Sequence, residues 1–243
     1  MMIRWVKLPL AVLLTVLTPM VSHATMLELY IGPMGEGVTV EHEVEDSYKL
    51  RQKNVVIQQR DYSCGTASLA TLLNYYLDTP VKEVDIIKTL LELNKKRGTL
   101  EQVIQRKGFS MLDLKLYAEN QGFKAVGFRL DFNELANLGY PALVPIIPDG
   151  FKHFVVFKGS DQKRVYLADP SFGNLIESID QFKADWYGFT NVAMVVLRPG
   201  EEKMLGKKPT VLSDMDKVYA GEDDINDILL TRLPERVQIP GEF

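Results

Sequence analysis

Gln58-Gln59-Arg60-Asp61-Tyr62-Ser63-Cys64-Gly65-Thr66-Ala67 holds the one cysteine of this 243-residue chain, and it runs directly into Ser68-Leu69-Ala70-Thr71-Leu72-Leu73-Asn74-Tyr75-Tyr76-Leu77. The second stretch reads as a helix, so Cys64 falls at or just inside a helix start. Unpaired backbone N–H groups and the positive end of the helix dipole favour a thiolate there. The plain alternative for a single cysteine is a small buried hydrophobe.

The context of that cysteine is set by the first 24 residues. Arg4 and Lys7 make a basic start, Leu8 to Val21 an apolar run, and Ser22-His23-Ala24 a small-residue cleavage site. Residues 1–24 therefore read as a secretory signal peptide. No later segment is long and apolar enough to span a bilayer, which needs about 20 residues. The expected location is the periplasm, with secretion as the alternative. In an oxidising compartment structural cysteines come in pairs, and a solitary thiol needs deep burial or a use. The net charge of -4 becomes more acidic on cleavage and gives no basic footprint for nucleic acid.

Residues 25–54 read as an N-terminal extension with a strand at Leu27-Glu28-Leu29-Tyr30-Ile31. Gly32-Pro33-Met34-Gly35-Glu36-Gly37 is a turn rather than a phosphate loop, and His42-Glu43 has no second histidine at i+4 to make a metal motif. No metal or cofactor is called for. Val55-Val56-Ile57 reads as a strand delivering the chain to Cys64. Helices are expected over 81–93, 99–106 and 110–121, with Pro80 available to open the first, Thr99 and Ser110 as caps, and Gly122 closing the third.

From Lys124 the pattern changes to strands: Ala125 to Leu130, Pro141 to Ile147, Lys152 to Lys158, Lys163 to Asp169 and Thr190 to Leu197. Short helices are expected at 131–135 and 178–185, and turns at Pro148-Asp149-Gly150 and Pro170-Ser171-Phe172-Gly173. Helices first and mostly antiparallel strands after them make an α+β fold over 55–199. Residues 200–243 form a Lys/Glu/Asp-rich, weakly ordered tail with a short helix at 225–230.

A cysteine nucleophile needs a base. His153 follows a turn and begins the apolar strand Phe154-Val155-Val156-Phe157. If the hairpin loop is Gly159 to Lys163, Lys158 pairs with Arg164 and His153 lies directly across from Asp169, about 5 Å away at Cβ. A one-residue slip would move Asp169 to the other face. Asp149 and Asp61 are weaker alternatives, and each of these polar residues has a plain reading as a core, turn or surface group. Acyl transfer also needs oxyanion donors. The Cys64 N–H is one candidate and the Gln58 side chain, six residues upstream, another; Gln59 would point away from an extended segment.

Gln58, Cys64-Gly65-Thr66-Ala67, His153-Phe154-Val155-Val156 and Asp169-Pro170 with Gly173 resemble the motifs of the bacteriocin-processing cysteine peptidases. That family is papain-like and cuts double-glycine leader peptides. The resemblance covers residues 55–199. It implies a papain-like fold, with Cys64 as nucleophile, His153 as base, Asp169 as orienting residue and Gln58 as oxyanion donor. Two departures stand out. Ser63 occupies a position that is usually aspartate in the family, and the chain has an export signal instead of a fused ATP-driven transporter. In its architecture it resembles the stand-alone exported members found with Fap-type functional-amyloid secretion systems. The implied activity is an exported endopeptidase acting on a peptide or unfolded protein segment, with outer-membrane secretion or amyloid-export components as partners. The alternatives are a peptidase-like module that binds such a segment without cutting it, and a related acyltransferase.

Overall fold

The computed structural model describes residues 27–30, 37–40, 47–187 and 191–207. The expected signal peptide, His42-Glu43 and the tail beyond residue 207 lie outside them. The chain divides into two units between residues 45 and 46. In the first, β1 (Leu27–Tyr30) pairs antiparallel with β2 (Gly37–Val40).

The second unit opens with α1 (Ser47–Gln52), a helix that the sequence reading missed. Val55-Val56-Ile57, expected as a strand, joins no sheet. Its backbone bonds elsewhere: Val56 N–H donates to the Thr71 hydroxyl at 3.0 Å. Then come α2 (Cys64–Tyr75), α3 (Glu83–Arg97), α4 (Leu100–Gln105) and α5 (Met111–Asn120). Pro80 does not open α3, which starts three residues later with Lys82 at its N-cap. Thr99 sits at the N-cap of α4 without capping it; its hydroxyl donates to Asn94 Oδ1 instead. Ser110 does cap α5, in a reciprocal box with Asp113. Buried Asp113 also faces Arg97 at 3.5 Å and Arg106 at 3.3 Å, joining the ends of α3, α4 and α5.

The remainder is β3 (Lys124–Arg129), α6 (Phe132–Ala136), β4 (Ala142–Ile146), β5 (His153–Ser160), β6 (Arg164–Asp169), β7 (Gly173–Ser178), α7 (Ile179–Tyr187) and β8 (Val192–Leu197). Strand β7 was not expected from the sequence. Six strands form one antiparallel sheet in the order β3-β8-β4-β5-β6-β7. The sheet is covered on both faces, so its central strands read as unbroken apolar runs such as Ala142–Ile146. Helices α2 to α5 pack on one face against Leu143, Val156, Ala168 and Met194. On the other, α6 and α7 bring Phe132, Phe182 and Trp186 against Val144, Val155, Phe157 and Leu167.

The hairpin register differs from the expected one. Asp161 Oδ1 accepts the backbone N–H groups of Lys163 and Arg164 at 2.8 and 2.7 Å, and this Asx-type turn shortens the loop to Asp161–Lys163. Ser160 therefore pairs with Val165 and Gly159 with Tyr166, not Lys158 with Arg164. A bulge between Phe157 and Gly159 then shifts the ladder to Phe157–Leu167 and Val156–Ala168. Continued by one pair, this register sets Asp169 level with Val155, so His153 is its diagonal neighbour on the same face.

Candidate active site

Helix α2 is apolar almost all round, and every residue from Gly65 to Leu73 is buried. Gly65 lets it approach the sheet: a Cβ there would lie 3.0 Å from Leu114 Cδ1 and 3.2 Å from Phe154 Cδ2. The Ser68 hydroxyl donates to the Phe154 carbonyl at 3.0 Å. This docking brings the first residue of α2, half-buried Cys64, to the first residue of β5, His153.

His153 Nε2 lies 3.0 Å from Asp169 Oδ1. Cys64 is the other side chain that acts on the imidazole, and with Nε2 engaged by Asp169 the nitrogen left for sulfur is Nδ1. Burial opposes protonation of His153, but hydrogen bonds and charge from Asp169 and Cys64 outweigh it and push the pKa up to about 9. Asp169 is buried, and its Oδ1 also accepts from the N–H groups of Ser171 at 2.6 Å and Phe172 at 3.2 Å. These bonds fix the carboxylate within its own turn. Exposed Asp149 and Asp61 are not the carboxylates on His153.

By strand alternation His153 and Asp169 belong to the face that carries Val155 and Leu167, which α6 and α7 cover. Cys64 comes from the opposite layer. The three meet at the end of the sheet where β5 begins and β6 ends.

The segment before Cys64 is pinned along its length. Gln58 N–H donates to the Pro170 carbonyl at 2.8 Å, beside the Asp169 turn. Gln59 is exposed, and its N–H donates to the carboxylate of buried Glu83, at 3.2 Å to the nearer oxygen. Gln58 Nε2 donates to the Arg60 carbonyl at 3.2 Å. Ser63 occupies the N-cap of α2 but makes no side-chain bond to its first turn. The N–H groups at the helix start therefore have no side-chain cap from Ser63. Beyond the expected residues, Asn174 donates to the Arg51 carbonyl at 3.1 Å and the Lys53 carbonyl at 2.9 Å. A Cβ on Gly173 would overlap the same Arg51 carbonyl, and its φ of 87° also favours glycine. Helix α1 thus braces the turn that carries Asp169. No pattern in residues 47–52 signals that role.

Residues 52–196 match the model of the peptidase C39 family. The chain belongs to that family. It is a cysteine peptidase with a papain-like α+β fold. Two relatives are described as probable functional amyloid proteases FapD. The one from Pseudomonas fluorescens is 35% identical over 195 residues, covering 79% of this chain and 82% of that protein. The one from Pseudomonas aeruginosa is 34% identical over 152 residues, covering 63% of this chain and 65% of that protein. Among solved structures, a double-glycine-motif protease from an AMS/PCAT transporter, crystallised with its leader peptide, aligns with 28% identity and a TM-score of 0.45. That alignment covers 59% of this chain and 90% of that one. No helix among the described residues is long and apolar enough to cross a membrane.

Proposed function

We propose that this peptidase is an exported endopeptidase cleaving a peptide or an unfolded protein segment in a functional-amyloid secretion system. Cys64 is the nucleophile, His153 the acid and base, Asp169 the orienting carboxylate, and Gln58 with the Cys64 N–H the oxyanion donors. The observation that carries this reading is the linked chain Cys64, His153, Asp169, with Nε2 on the carboxylate and Nδ1 left for sulfur. Similarity to proteases named for functional amyloid supports the substrate class. The reading includes a signal peptide at 1–24, an N-terminal extension at 25–54, the peptidase domain at 55–199 and an acidic tail at 200–243, with action in the periplasm.

In the mechanism, the thiolate attacks the scissile carbonyl carbon and the C=O π electrons move to oxygen. The oxyanion lies toward the helix start, where donors already in place stabilise it without reorganisation. Collapse breaks the C–N bond as the His153 imidazolium gives its proton to the leaving amine. A water then loses a proton to His153, attacks the thioester and releases the acid, restoring the thiolate–imidazolium pair. Asp169 holds the ring throughout and stabilises its charged form.

The test compares secreted and periplasmic proteins of a strain carrying Cys64→Ala with its parent. One or more precursors should accumulate, and the purified native chain should convert them while the variant does not. Unchanged processing in the variant would end the reading. Labelling of Cys64 by iodoacetamide should fall by at least tenfold in His153→Ala, because the imidazolium supports the thiolate.

A further inference from the structure

Three donors converge on one backbone oxygen in the loop before the nucleophile. The Arg60 carbonyl accepts from Ser63 N–H at 3.0 Å, from the Ser63 hydroxyl at 2.8 Å and from Gln58 Nε2 at 3.2 Å. Ser63 is only 1% exposed, so its side chain has no free edge toward a substrate. Its hydroxyl points back into the loop, away from the first turn of the helix it precedes.

The state of Gln58 shows what that carbonyl does. Gln58 Oε1 is buried and lacks a hydrogen-bond partner, one of two such side-chain atoms among the described residues. A buried orphan acceptor is costly, and an amide normally avoids it by turning over. Here the turned amide would set Oε1 against the Arg60 carbonyl, acceptor against acceptor. The carbonyl therefore dictates which end of the amide is the donor end. One N–H is used on Arg60, and a primary amide has a second. The orientation of that second N–H depends on where the Arg60 carbonyl points, and the Ser63 hydroxyl holds the carbonyl through the shortest of its three bonds.

We propose that Ser63 is a positioning residue for the oxyanion site, acting through the Arg60 carbonyl to set the Gln58 amide. This builds on the assignment of Gln58 as an oxyanion donor and adds what makes it one. It also gives the serine before the nucleophile a role in transition-state stabilisation in place of substrate contact. Loss of the hydroxyl frees the carbonyl to tilt and the amide to swing. Displacement of a catalytic donor by about 1 Å costs up to about a hundredfold, and a partial loss of restraint correspondingly less.

Two probes of the purified full chain separate this role from a structural one. Iodoacetamide alkylates the thiolate by displacing iodide and forms no oxyanion, so it reads only the Cys64–His153 pair. A peptide aldehyde ending in glycyl-glycinal adds the thiolate to its carbonyl carbon. The C–S bond forms, the π bond breaks, and the oxygen faces the oxyanion donors before taking a proton from His153. Its dissociation constant is read from protection against alkylation. Ser63→Ala is expected to weaken the aldehyde adduct about fivefold to tenfold, with the alkylation rate within about twofold of native. In a Gln58→Ala background the same substitution is expected to change the adduct by less than about twofold.

An undiminished adduct in Ser63→Ala overturns the proposal. So does an equal loss with and without Gln58, and so does a parallel loss of alkylation, which marks a structural role. If native Cys64 alkylates slowly and independently of His153, the catalytic reading itself fails, a different result from any of these. A native chain that alkylates rapidly but forms no adduct also overturns the proposal, since it has no working oxyanion site.

Discussion

Asp113 and Asp169 are buried to the same degree, each 3% exposed, yet they belong to different kinds of site. Asp113, at the corner of α3, α4 and α5, is held by Ser110 and by the guanidinium groups of Arg97 and Arg106. Asp169, at the sheet end, is held by two backbone N–H groups and by an imidazole that gains and loses a proton. Burial of a carboxylate therefore does not mark function in this fold. What sets the proposed site apart is a partner that can change charge, linked onward to the cysteine. At Asp113 the electrostatics end in a helix cap; at Asp169 they continue through His153 to Cys64.

The comparison breaks most sharply at Asp169. Asp169→Asn keeps the shape but weakens the hold on charged His153, and peptidase activity is expected to fall by about a hundred to ten thousand times. The same substitution moves the alkaline limb of Cys64 alkylation. In the native chain His153 has a folded pKa of about 9, above its ordinary 6.5. The raised pKa contributes stability that is complete below about 6.5 and disappears as pH rises through about 9. Without the Asp169 charge, burial is left with less opposition, so the limb should move below 9. A limb that stays at 9 would show that Asp169 does not set the charge of His153.

Asp113→Ala is expected to cost about 2 kcal/mol of stability by loss of the cap, read by urea unfolding, with little from the half-exposed arginines. Cys64 alkylation should stay within about twofold of native. A large fall in alkylation without unfolding would erase the distinction between the two aspartates. Gly173→Ala tests the brace under Asp169. The Arg51 carbonyl and the positive φ should together cost about 1–2 kcal/mol, with a smaller fall in alkylation than Asp169→Asn gives. The smallest effect is expected at Glu177. Burial first, then the charges of Asp185 and Asp169, raise its pKa to about 7. An acid raised in the folded state loses stability as pH climbs from about 4.5 to 7. Glu177→Gln should therefore stabilise the chain at pH 8 and leave it unchanged at pH 4, read by urea unfolding at the two pH values.

Much of the fold was legible because the local code was strong. Ser110 and Asp131 each close a reciprocal capping box, and the apolar runs from Ala142 onward could only be strands or buried helix. Val55–Ile57 misled because β-branched residues suit an extended chain whether or not it enters a sheet. Helix α1 was missed because what ties it down is distant: Arg51 and Lys53 offer carbonyls to Asn174 of β7, more than 120 positions away, while β7 itself is held by its ladder with β6.

The candidate site divides in the same way. By itself the sequence determined the setting of Cys64, since one cysteine at the head of an apolar helix, with a glutamine six residues before it, is a local pattern. It also named His153 and Asp169, but for a register the protein does not use. The Asp161 turn shifts the hairpin tip by an odd number, which alone would put Asp169 on the face of Val156. The bulge between Phe157 and Gly159 shifts it back by one and returns Asp169 to the face of His153. That correction follows from packing a turn, two covered faces and a bulge at once, and only the tertiary structure makes all three hold together.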